Sequence, residues 1–145
     1  MNILVVCYAN YCRSPVVEVI LNEKLSDDYK VSSAGIRAVS LASMDKRSHN
    51  FLVDSGYQPK IHIPRTLNSN LIKESDLIYV MDTLMIDYLY KFRVTRTKDL
   101  KLFNFLDLSL DINDPYKLED LKKYNKIMKN LESLAIINTK YINDK

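Results

Sequence analysis

The distribution of apolar and polar positions along the 145-residue chain predicts short strands that alternate with amphipathic helices. The first apolar run, residues 3–6, has the length of a buried strand, and further strands are expected at residues 30–34, 77–81 and 101–105. Strands separated by helices are typical of βαβ units, which form parallel sheets. The pattern therefore predicts an α/β fold. Because no repeat, linker or change of composition divides the chain, a single domain over residues 1–145 is expected.

The helices are predicted from apolar residues that recur every three or four positions. The first helix follows Ser14, which suits an N-cap, and Pro15, whose missing N–H does no harm at the first helical position. A later helix is expected to end at Gly56, the residue type favoured after a helix C-terminus, and Thr83 is a candidate N-cap. The remaining helices are expected at residues 44–55, 69–74, 83–92 and 118–140.

Composition and charge give no reason to expect a nucleic acid or a membrane as a partner. Apolar residues make up 47% of the chain, charged residues 27%, and the formal net charge is only +3. The N-terminal apolar run is too short to span a bilayer, and it lacks the basic segment and cleavage site of a secretory signal. Two cysteines, close together in one loop, cannot form the framework of a secreted protein. A cytoplasmic location without membrane insertion is therefore expected.

The segment LVVCYANYCRSP carries the strongest chemical signal in the sequence. Cys7 ends the first predicted strand, and the residues after it lead directly into the helix that begins at Ser14. A loop between a buried strand and a helix N-terminus directs backbone N–H groups toward one point, which makes an anion site. The positive helix end and Arg13 favour the thiolate form of a cysteine in such a site. The planar guanidinium of Arg13 also matches two oxygens of a phosphoryl group.

A less specific interpretation exists for each cysteine. Cys7 could be a small apolar residue buried on the first strand, because free cysteines are often buried. The order of strand, loop, arginine, serine and proline favours the anion site. Cys12 could pack in the interior, or it could form a reversible disulfide with Cys7 that protects the sulfur from over-oxidation. The sequence leaves these two alternatives open.

The segment INDPYK supplies a candidate proton donor, Asp114. A thiolate that attacks a phosphate monoester needs an acid to protonate the departing oxygen. Pro115 biases Asp114 toward an extended conformation, and Tyr116 is a candidate wall for a substrate pocket. Asp-Pro is also a common turn, but the presence of the cysteine loop favours the acid interpretation. Asp107 and Asp111 are the alternative acids.

These segments together resemble the low-molecular-weight protein tyrosine phosphatases. The matching segments are VCYANYCRSP, SSAG at 32–35, MDKRS at 44–48, DLIYVMD at 76–82 and DPY at 114–116. They occur in order over nearly the whole chain, and they look most like the bacterial branch that acts opposite tyrosine autokinases in capsule and exopolysaccharide production. The resemblance implies a flavodoxin-like three-layer sandwich with a four-stranded parallel sheet and helices on both faces. It also implies a tyrosine-phosphorylated protein, such as the autokinase, as the partner.

The resemblance assigns roles to individual residues. Cys7 would be the nucleophile, Arg13 would bind the transferred phosphoryl group, and Asp114 would be the general acid and then the general base. Asn10, Ser14 and Ser33 would hold the loop through hydrogen bonds, and no metal or other cofactor is expected. The phosphate-binding loop would comprise Tyr8, Ala9, Asn10, Tyr11, Cys12, Arg13 and Ser14, with Ser33 and Tyr116 as supporting residues.

The chain departs from the family pattern at three places. The usual MDPR-like segment reads MDKR at 44–47, a change at a helix start with little bearing on catalysis. Ala9 stands where glycine is usual, which is acceptable only if its backbone is not forced to positive φ. Arg37, Val39 and Leu41 occupy the region where many members carry an aromatic wall, so substrate preference is open. His49 and His62 are expected on the surface or on a helix face, outside the catalytic machinery.

Two other functions are compatible with parts of the pattern. An arsenate reductase on the same scaffold would need further cysteines to relay a disulfide, and none follows Cys12. A module that only binds phosphotyrosine or another oxyanion would need neither Cys7 nor Asp114. The phosphatase interpretation uses all of these residues and is therefore preferred.

Overall fold

The computed structural model of the protein describes residues 1–38, 43–91, 99–102 and 111–144. The strands are β1 (Asn2–Cys7), β2 (Lys30–Gly35), β3 (Leu77–Val80) and β4 (Asp99–Leu102). They lie in the order β2-β1-β3-β4, and each neighbouring pair is parallel. β1 is buried from its second residue to its end, as its apolar run predicted. The α/β class with a parallel sheet is confirmed.

Within the described residues, five helices connect or follow the strands: α1 (Ser14–Lys24), α2 (Lys46–Asp54), α3 (Ser69–Glu74), α4 (Thr83–Tyr90) and α5 (Leu121–Asn143). α1 packs against α5, β1 and β2, whereas α4 packs against β3 and β4. The connections β1-α1-β2 and β3-α4-β4 run in opposite directions across the sheet. Because such crossovers are right-handed, α1 and α4 lie on opposite faces. None of the helices in the described part of the chain is long and apolar enough to cross a bilayer.

This topology creates a crevice at the carboxyl edge of the sheet. The chain leaves β1 toward one side and β3 toward the other, so the loops after these two neighbouring strands diverge. Ligands bind at such a switch point in open α/β sheets. Cys7 is the last residue of β1, and Asp82 follows β3 by two residues. The fold therefore brings both side chains to the same edge.

Several helix boundaries differ from their predictions. Arg13 occupies the N-cap of α1 and Ser14 is already helical, because the Ser14 hydroxyl is engaged by other side chains. Asp82 rather than Thr83 caps α4, since its carboxylate accepts the Met85 N–H. Gly56 follows α2 with φ 89°, as expected. The last helix begins three residues later than predicted, at Leu121, and residues 103–105 of the predicted fourth strand lie outside the described residues.

Candidate active site

Cys7 is the last residue of β1, and only 2% of its surface is exposed. Its Sγ atom is 3.0 Å from the hydroxyl oxygen of Ser14, the first residue of α1. The loop between them thus returns to its starting point and brings the first residue of α1 to the sulfur. A cysteine that merely filled the core would have no reason to contact a serine at that position.

Gly35, at the end of β2, allows this loop to approach the sheet. It pairs with Cys7 in the parallel register, and the N–H of Arg37 donates to the Tyr8 carbonyl at 2.8 Å. A Cβ atom at position 35 would lie 2.7 Å from the Asn10 nitrogen and 2.8 Å from backbone atoms of Ala9 and Tyr8. Any side chain here would displace the loop, which explains why the SSAG segment ends in glycine.

Asn10 holds the loop from inside. It is fully buried, and among the described residues it is the only one other than glycine with positive φ, at 54°. Its side-chain amide donates to the hydroxyls of Ser14 at 2.8 Å and Ser33 at 2.9 Å. Asparagine is one of the few residue types other than glycine that adopt this left-handed conformation readily. Ala9 does not have positive φ, so the absence of the family's glycine there imposes no backbone strain.

Three further residues complete the support of this loop, and none was singled out for it from the sequence. Arg65 donates its backbone N–H to the side-chain oxygen of Asn10 at 3.0 Å, and a ring nitrogen of His62 lies 2.8 Å from the Asn10 carbonyl. Glu18 accepts a hydrogen bond from the Ser33 hydroxyl. His62 is therefore half-buried against the loop rather than a plain surface residue, whereas His49 is exposed on α2 as expected.

Arg13 is buried to 2% exposure, which is unusual for a guanidinium. One of its terminal nitrogens donates to the Ile112 carbonyl at 2.6 Å and lies 3.8 Å from the Asp82 carboxylate. Its Nε is buried and has no hydrogen-bond partner among the residues that the structure describes. An unsatisfied buried donor is costly, and an anion in the loop would satisfy it.

Asp114 reaches the same place from the far end of the chain. Its Oδ2 lies 3.7 Å from the other terminal nitrogen of Arg13, and its side chain is 39% exposed. Its Oδ1 accepts the Tyr116 N–H at 3.2 Å, which forms the turn that Asp-Pro predicted. The alternative acid Asp111 instead accepts the Thr83 N–H at 3.1 Å at the start of α4. Asp107 lies outside the described residues.

The cleft above these groups has two walls of different character. On one side it is lined by Tyr8, Arg37, Tyr116 and Lys117, beside Ala9, Ala38 and Asp114. The other side is mainly apolar and is formed by Ile36, Leu84, Met85 and Tyr88, with Asp82 at its base. The ring of Tyr11 meets that of Tyr116 edge to face at 5.9 Å. Tyr116 thus lies on the wall where the sequence predicted it.

Cys12 differs from Cys7 in its surroundings. Both cysteines are free and buried, but the Cys12 thiol points to the Asp45 carboxylate, with 3.6 Å between sulfur and oxygen. Burial raises the pKa of Cys12 to about 12. Cys12 is therefore a packed, hydrogen-bonded thiol in the structure. Of the two alternatives that the sequence left open, this is packing in the interior.

The other groups at this edge had weaker sequence signals. Asp82 ends the segment DLIYVMD, directly after a strand, and this position could have indicated that its side chain lies at the site. The His62 ring contacts a backbone carbonyl, and Arg65 acts through its own backbone N–H. The sequence therefore offers little sign of either contact. The structure thus brings together six of the candidate residues, namely Cys7, Arg13, Ser14, Asn10, Ser33 and Asp114.

The chain is similar to known proteins over nearly its whole length. A family model described as low molecular weight phosphotyrosine protein phosphatase matches residues 2–144. The probable low molecular weight protein-tyrosine-phosphatase AmsI of Erwinia amylovora is 33% identical over 116 residues, 80% of each chain. Wzb of Escherichia coli K12, a low molecular weight protein-tyrosine-phosphatase, is 31% identical over 116 residues, 80% of this chain and 78% of the relative. The crystal structure of the tyrosine phosphatase Wzb from Escherichia coli K30 in complex with sulphate superposes with a TM-score of 0.88 at 26% identity, covering 97% of both chains. The chain belongs to the low-molecular-weight protein-tyrosine-phosphatase family.

Proposed function

We propose that this phosphatase hydrolyses phosphotyrosine in proteins without a metal ion, through a phosphocysteine formed on Cys7. The observation that carries the proposal is the 3.7 Å approach of the Asp114 carboxylate to the Arg13 guanidinium. It brings a candidate acid to the loop that holds the candidate nucleophile, although Asp114 lies 101 positions after Arg13 in the sequence. The unpartnered Nε of Arg13 supports the same proposal, because a phosphoryl oxygen is a suitable acceptor for it.

In the first step the Cys7 thiolate attacks phosphorus, and the bond between phosphorus and the phenolic oxygen breaks. The electron pair of that bond stays on the oxygen, which takes a proton from the Asp114 carboxylic acid. The Ser14 hydroxyl, 3.0 Å from the sulfur, supports the thiolate by a hydrogen bond. Arg13 and the backbone N–H groups of the loop bind the equatorial oxygens, where charge is stabilised during phosphoryl transfer.

In the second step water attacks the phosphocysteine. The Asp114 carboxylate takes a proton from the water, the phosphorus–sulfur bond breaks, and Cys7 leaves as the thiolate. Inorganic phosphate is released and both side chains return to their starting protonation states. Asp114 suits both roles because it is partly exposed, so water reaches it, while its turn with Tyr116 holds it above the loop.

The substrate class follows from the cleft. The tyrosine rings at 8 and 116 provide walls for an aromatic side chain, and Arg37 and Lys117 favour an acidic protein segment beside it. We propose that the protein acts as a single domain in the cytoplasm and that its substrate is a tyrosine-phosphorylated protein. A tyrosine autokinase of capsule or exopolysaccharide production is the specific partner we propose, on the resemblance of the sequence to that bacterial branch.

The proposal is tested by turnover of para-nitrophenyl phosphate and of a phosphotyrosine peptide in the presence of a metal chelator. We expect both substrates to be hydrolysed, and a phosphoserine peptide to be a much poorer substrate. Cys7→Ser should abolish turnover, whereas the matched variant Cys12→Ser should retain most of it. Full activity of Cys7→Ser, or complete loss on chelation, would reject the mechanism.

The two alternative functions give different results in the same experiment. An arsenate reductase would consume a thiol reductant when arsenate is added, and a binding module would retain phosphopeptide without turnover. A pull-down with Asp114→Ala from cells of the native host then identifies the phosphoprotein. Capture of the autokinase is the expected result, and capture of a different phosphoprotein alone would refute that part of the proposal.

A further inference from the structure

The N-terminus of α2 carries an ion pair that the mechanism above does not use. Asp45, the N-cap residue, accepts hydrogen bonds from the Arg47 side chain on both carboxylate oxygens, at 3.0 and 2.8 Å. The central carbon of the Arg47 guanidinium also lies 4.0 Å from the ring centroid of Tyr124 on α5. Asp45 is buried. This fork-to-fork contact, with a ring on one face, gives Arg47 a single well-defined position.

The carboxylate of Asp45 is held in its ionised form by this arrangement. Burial is the strongest influence and by itself raises the pKa of Asp45, but the hydrogen bonds and the charge of Arg47 together outweigh it. The pKa of the Asp45 carboxyl therefore lies below its ordinary value. Both members of the pair are charged at neutral pH.

One side of this pair faces the nucleophile loop. The backbone N–H of Asp45 donates to the Tyr11 carbonyl at 2.9 Å, and the Cys12 thiol donates to the Asp45 carboxylate. One turn further along α2, the Ser48 hydroxyl donates to the Cys12 carbonyl at 2.8 Å. The start of α2 is thus fixed to the second half of the loop.

The other side of the pair faces the loop that carries Asp114. One terminal nitrogen of Arg47 donates to the Tyr116 carbonyl at 3.1 Å, and the other donates to the Leu118 carbonyl. The Tyr116 N–H in turn binds the Asp114 carboxylate. Asp114 is partly exposed and Tyr116 is exposed, although Pro115 between them is buried. Arg47 adds two hydrogen bonds to the backbone of this segment.

We infer that Arg47 is a positioning residue, which sets the distance between Asp114 and the Cys7 loop. Arg47 binds the backbone after Asp114, and its ion-pair partner Asp45 binds the Cys7 loop. The inference rests on the proposed role of Asp114 as the general acid. A shift of about 1 Å in a catalytic group is enough to lower a rate severalfold to a hundredfold. Loss of Arg47 should therefore impair the step that needs the acid and leave the anion site largely intact.

The test is a leaving-group comparison. We would measure kcat/KM, which reports formation of the phosphocysteine and not its later hydrolysis. The substrates are phenyl phosphate, whose poor leaving group needs protonation, and para-nitrophenyl phosphate, whose good one needs it less. Asp114→Asn is the reference, expected to lose on the order of 10²-fold on phenyl phosphate. Arg47→Ala should lose about tenfold on phenyl phosphate and less than about threefold on para-nitrophenyl phosphate. Arg47→Lys, which keeps the charge but not the fork, should lie between Arg47→Ala and the unmodified protein.

Lys46→Ala is the matched control, because Lys46 is the preceding residue of the same helix, carries the same charge and is exposed. It should change neither rate. The inhibition constant of inorganic phosphate reports the anion site separately, and Arg47→Ala should change it by less than about threefold. Thermal unfolding of each variant identifies any that is not folded at the assay temperature, in which case Arg47→Lys carries the test.

The double variant separates positioning from an independent effect. In Asp114→Asn, a further Arg47→Ala should cost less than about twofold on phenyl phosphate, because the group it positions is already absent. Equal losses on both substrates, a phosphate constant that rises with them, or additive losses in the double variant would overturn the inference while Asp114 keeps its role. If Asp114→Asn itself lost equally on both substrates, the acid role would be rejected, and the Arg47 inference with it.

Discussion

Asn10 is the residue whose replacement tests the construction of the nucleophile loop most fully. Asn10→Ala removes three side-chain hydrogen bonds, two donated to hydroxyls of Ser14 and Ser33 and one accepted from the Arg65 N–H. It also places alanine at φ 54°, a conformation that asparagine tolerates better. Both effects act at a fully buried position, so water cannot easily replace the lost partners.

The expected loss follows from these contacts. A net hydrogen bond contributes about 1 kcal/mol, and the left-handed conformation costs alanine about 1 kcal/mol. Asn10→Ala should therefore lower the free energy of unfolding by about 4 kcal/mol, a large part of the stability of a small domain. Asn10→Gly loses the same hydrogen bonds but takes positive φ freely. It should be more stable than Asn10→Ala by about 1 kcal/mol.

Urea unfolding of the two variants and of the unmodified protein gives these differences, and kcat for para-nitrophenyl phosphate reports the loop at the same time. We expect both variants to lose activity, because the Ser14 hydroxyl that contacts the Cys7 sulfur loses its partner. A cost below about 1 kcal/mol for Asn10→Ala, or a glycine variant less stable than the alanine one, would refute this reasoning.

Three further predictions concern the surroundings of the loop. Iodoacetate at pH 7 should modify Cys7 and spare Cys12, because burial raises the pKa of Cys12 to about 12. Inorganic phosphate should protect Cys7 from the reagent. Peptide mass analysis that found Cys12 modified first would contradict this prediction. Asp45→Asn should lower the free energy of unfolding by about 1.5–3 kcal/mol at neutral pH. Burial is the largest influence on Asp45 and opposes its ionisation, but Arg47 lowers the pKa of the carboxyl below its usual value. The contribution of Asp45 to stability is therefore present above the pKa of the unfolded chain and is lost as the pH falls through the lower pKa of the folded protein. A stability difference between Asp45→Asn and the unmodified protein that stayed constant in acid would refute this prediction. Gly35→Ala should lower kcat by at least about tenfold, since its Cβ would lie 2.7 Å from the loop backbone, and an unchanged kcat would show that the loop adapts.

The course of the chain from β1 to α1 could be predicted from the sequence because that part of the candidate site is local. The strand, the loop and the helix start are consecutive, and their residue types alone indicate how the chain turns there. Asn10 at positive φ is an example, since few residues other than glycine adopt that conformation. Asp114 was found for a different reason: once a thiolate nucleophile is proposed, the chemistry requires an acid, and Asp-Pro supplies one.

The rest of the site could not be predicted in the same way. Arg47 and His62 act on backbone carbonyls of Tyr116, Leu118 and Asn10, which lie 52 to 71 residues away in the sequence. A carbonyl is the same at every position, so such a contact leaves no mark in the sequence of its acceptor. Arg47 in particular lies in the segment MDKRS, which the resemblance matched without assigning a role to this residue.

The helix caps show a related limit. Asp82 and Thr83 are adjacent and both suit an N-cap, and tertiary contacts decide between them, because Thr83 donates to Asp111. Ser14 was predicted as a cap for the same reason of residue type. Its hydroxyl is instead used between Cys7 and Asn10, so the function of the loop overrides the usual preference of serine at a helix start.

The measurement that tests the mechanism most directly is the identity of the residue that carries phosphorus during turnover. In Asp114→Asn, a substrate with a good leaving group should still phosphorylate the protein, while release to water should be slow. Rapid acid quenching and peptide mass analysis should then find phosphate on Cys7, and none in the variant that also carries Cys7→Ser. Phosphate on another residue, or turnover with no phosphorylated protein and no need for Cys7, would contradict the account.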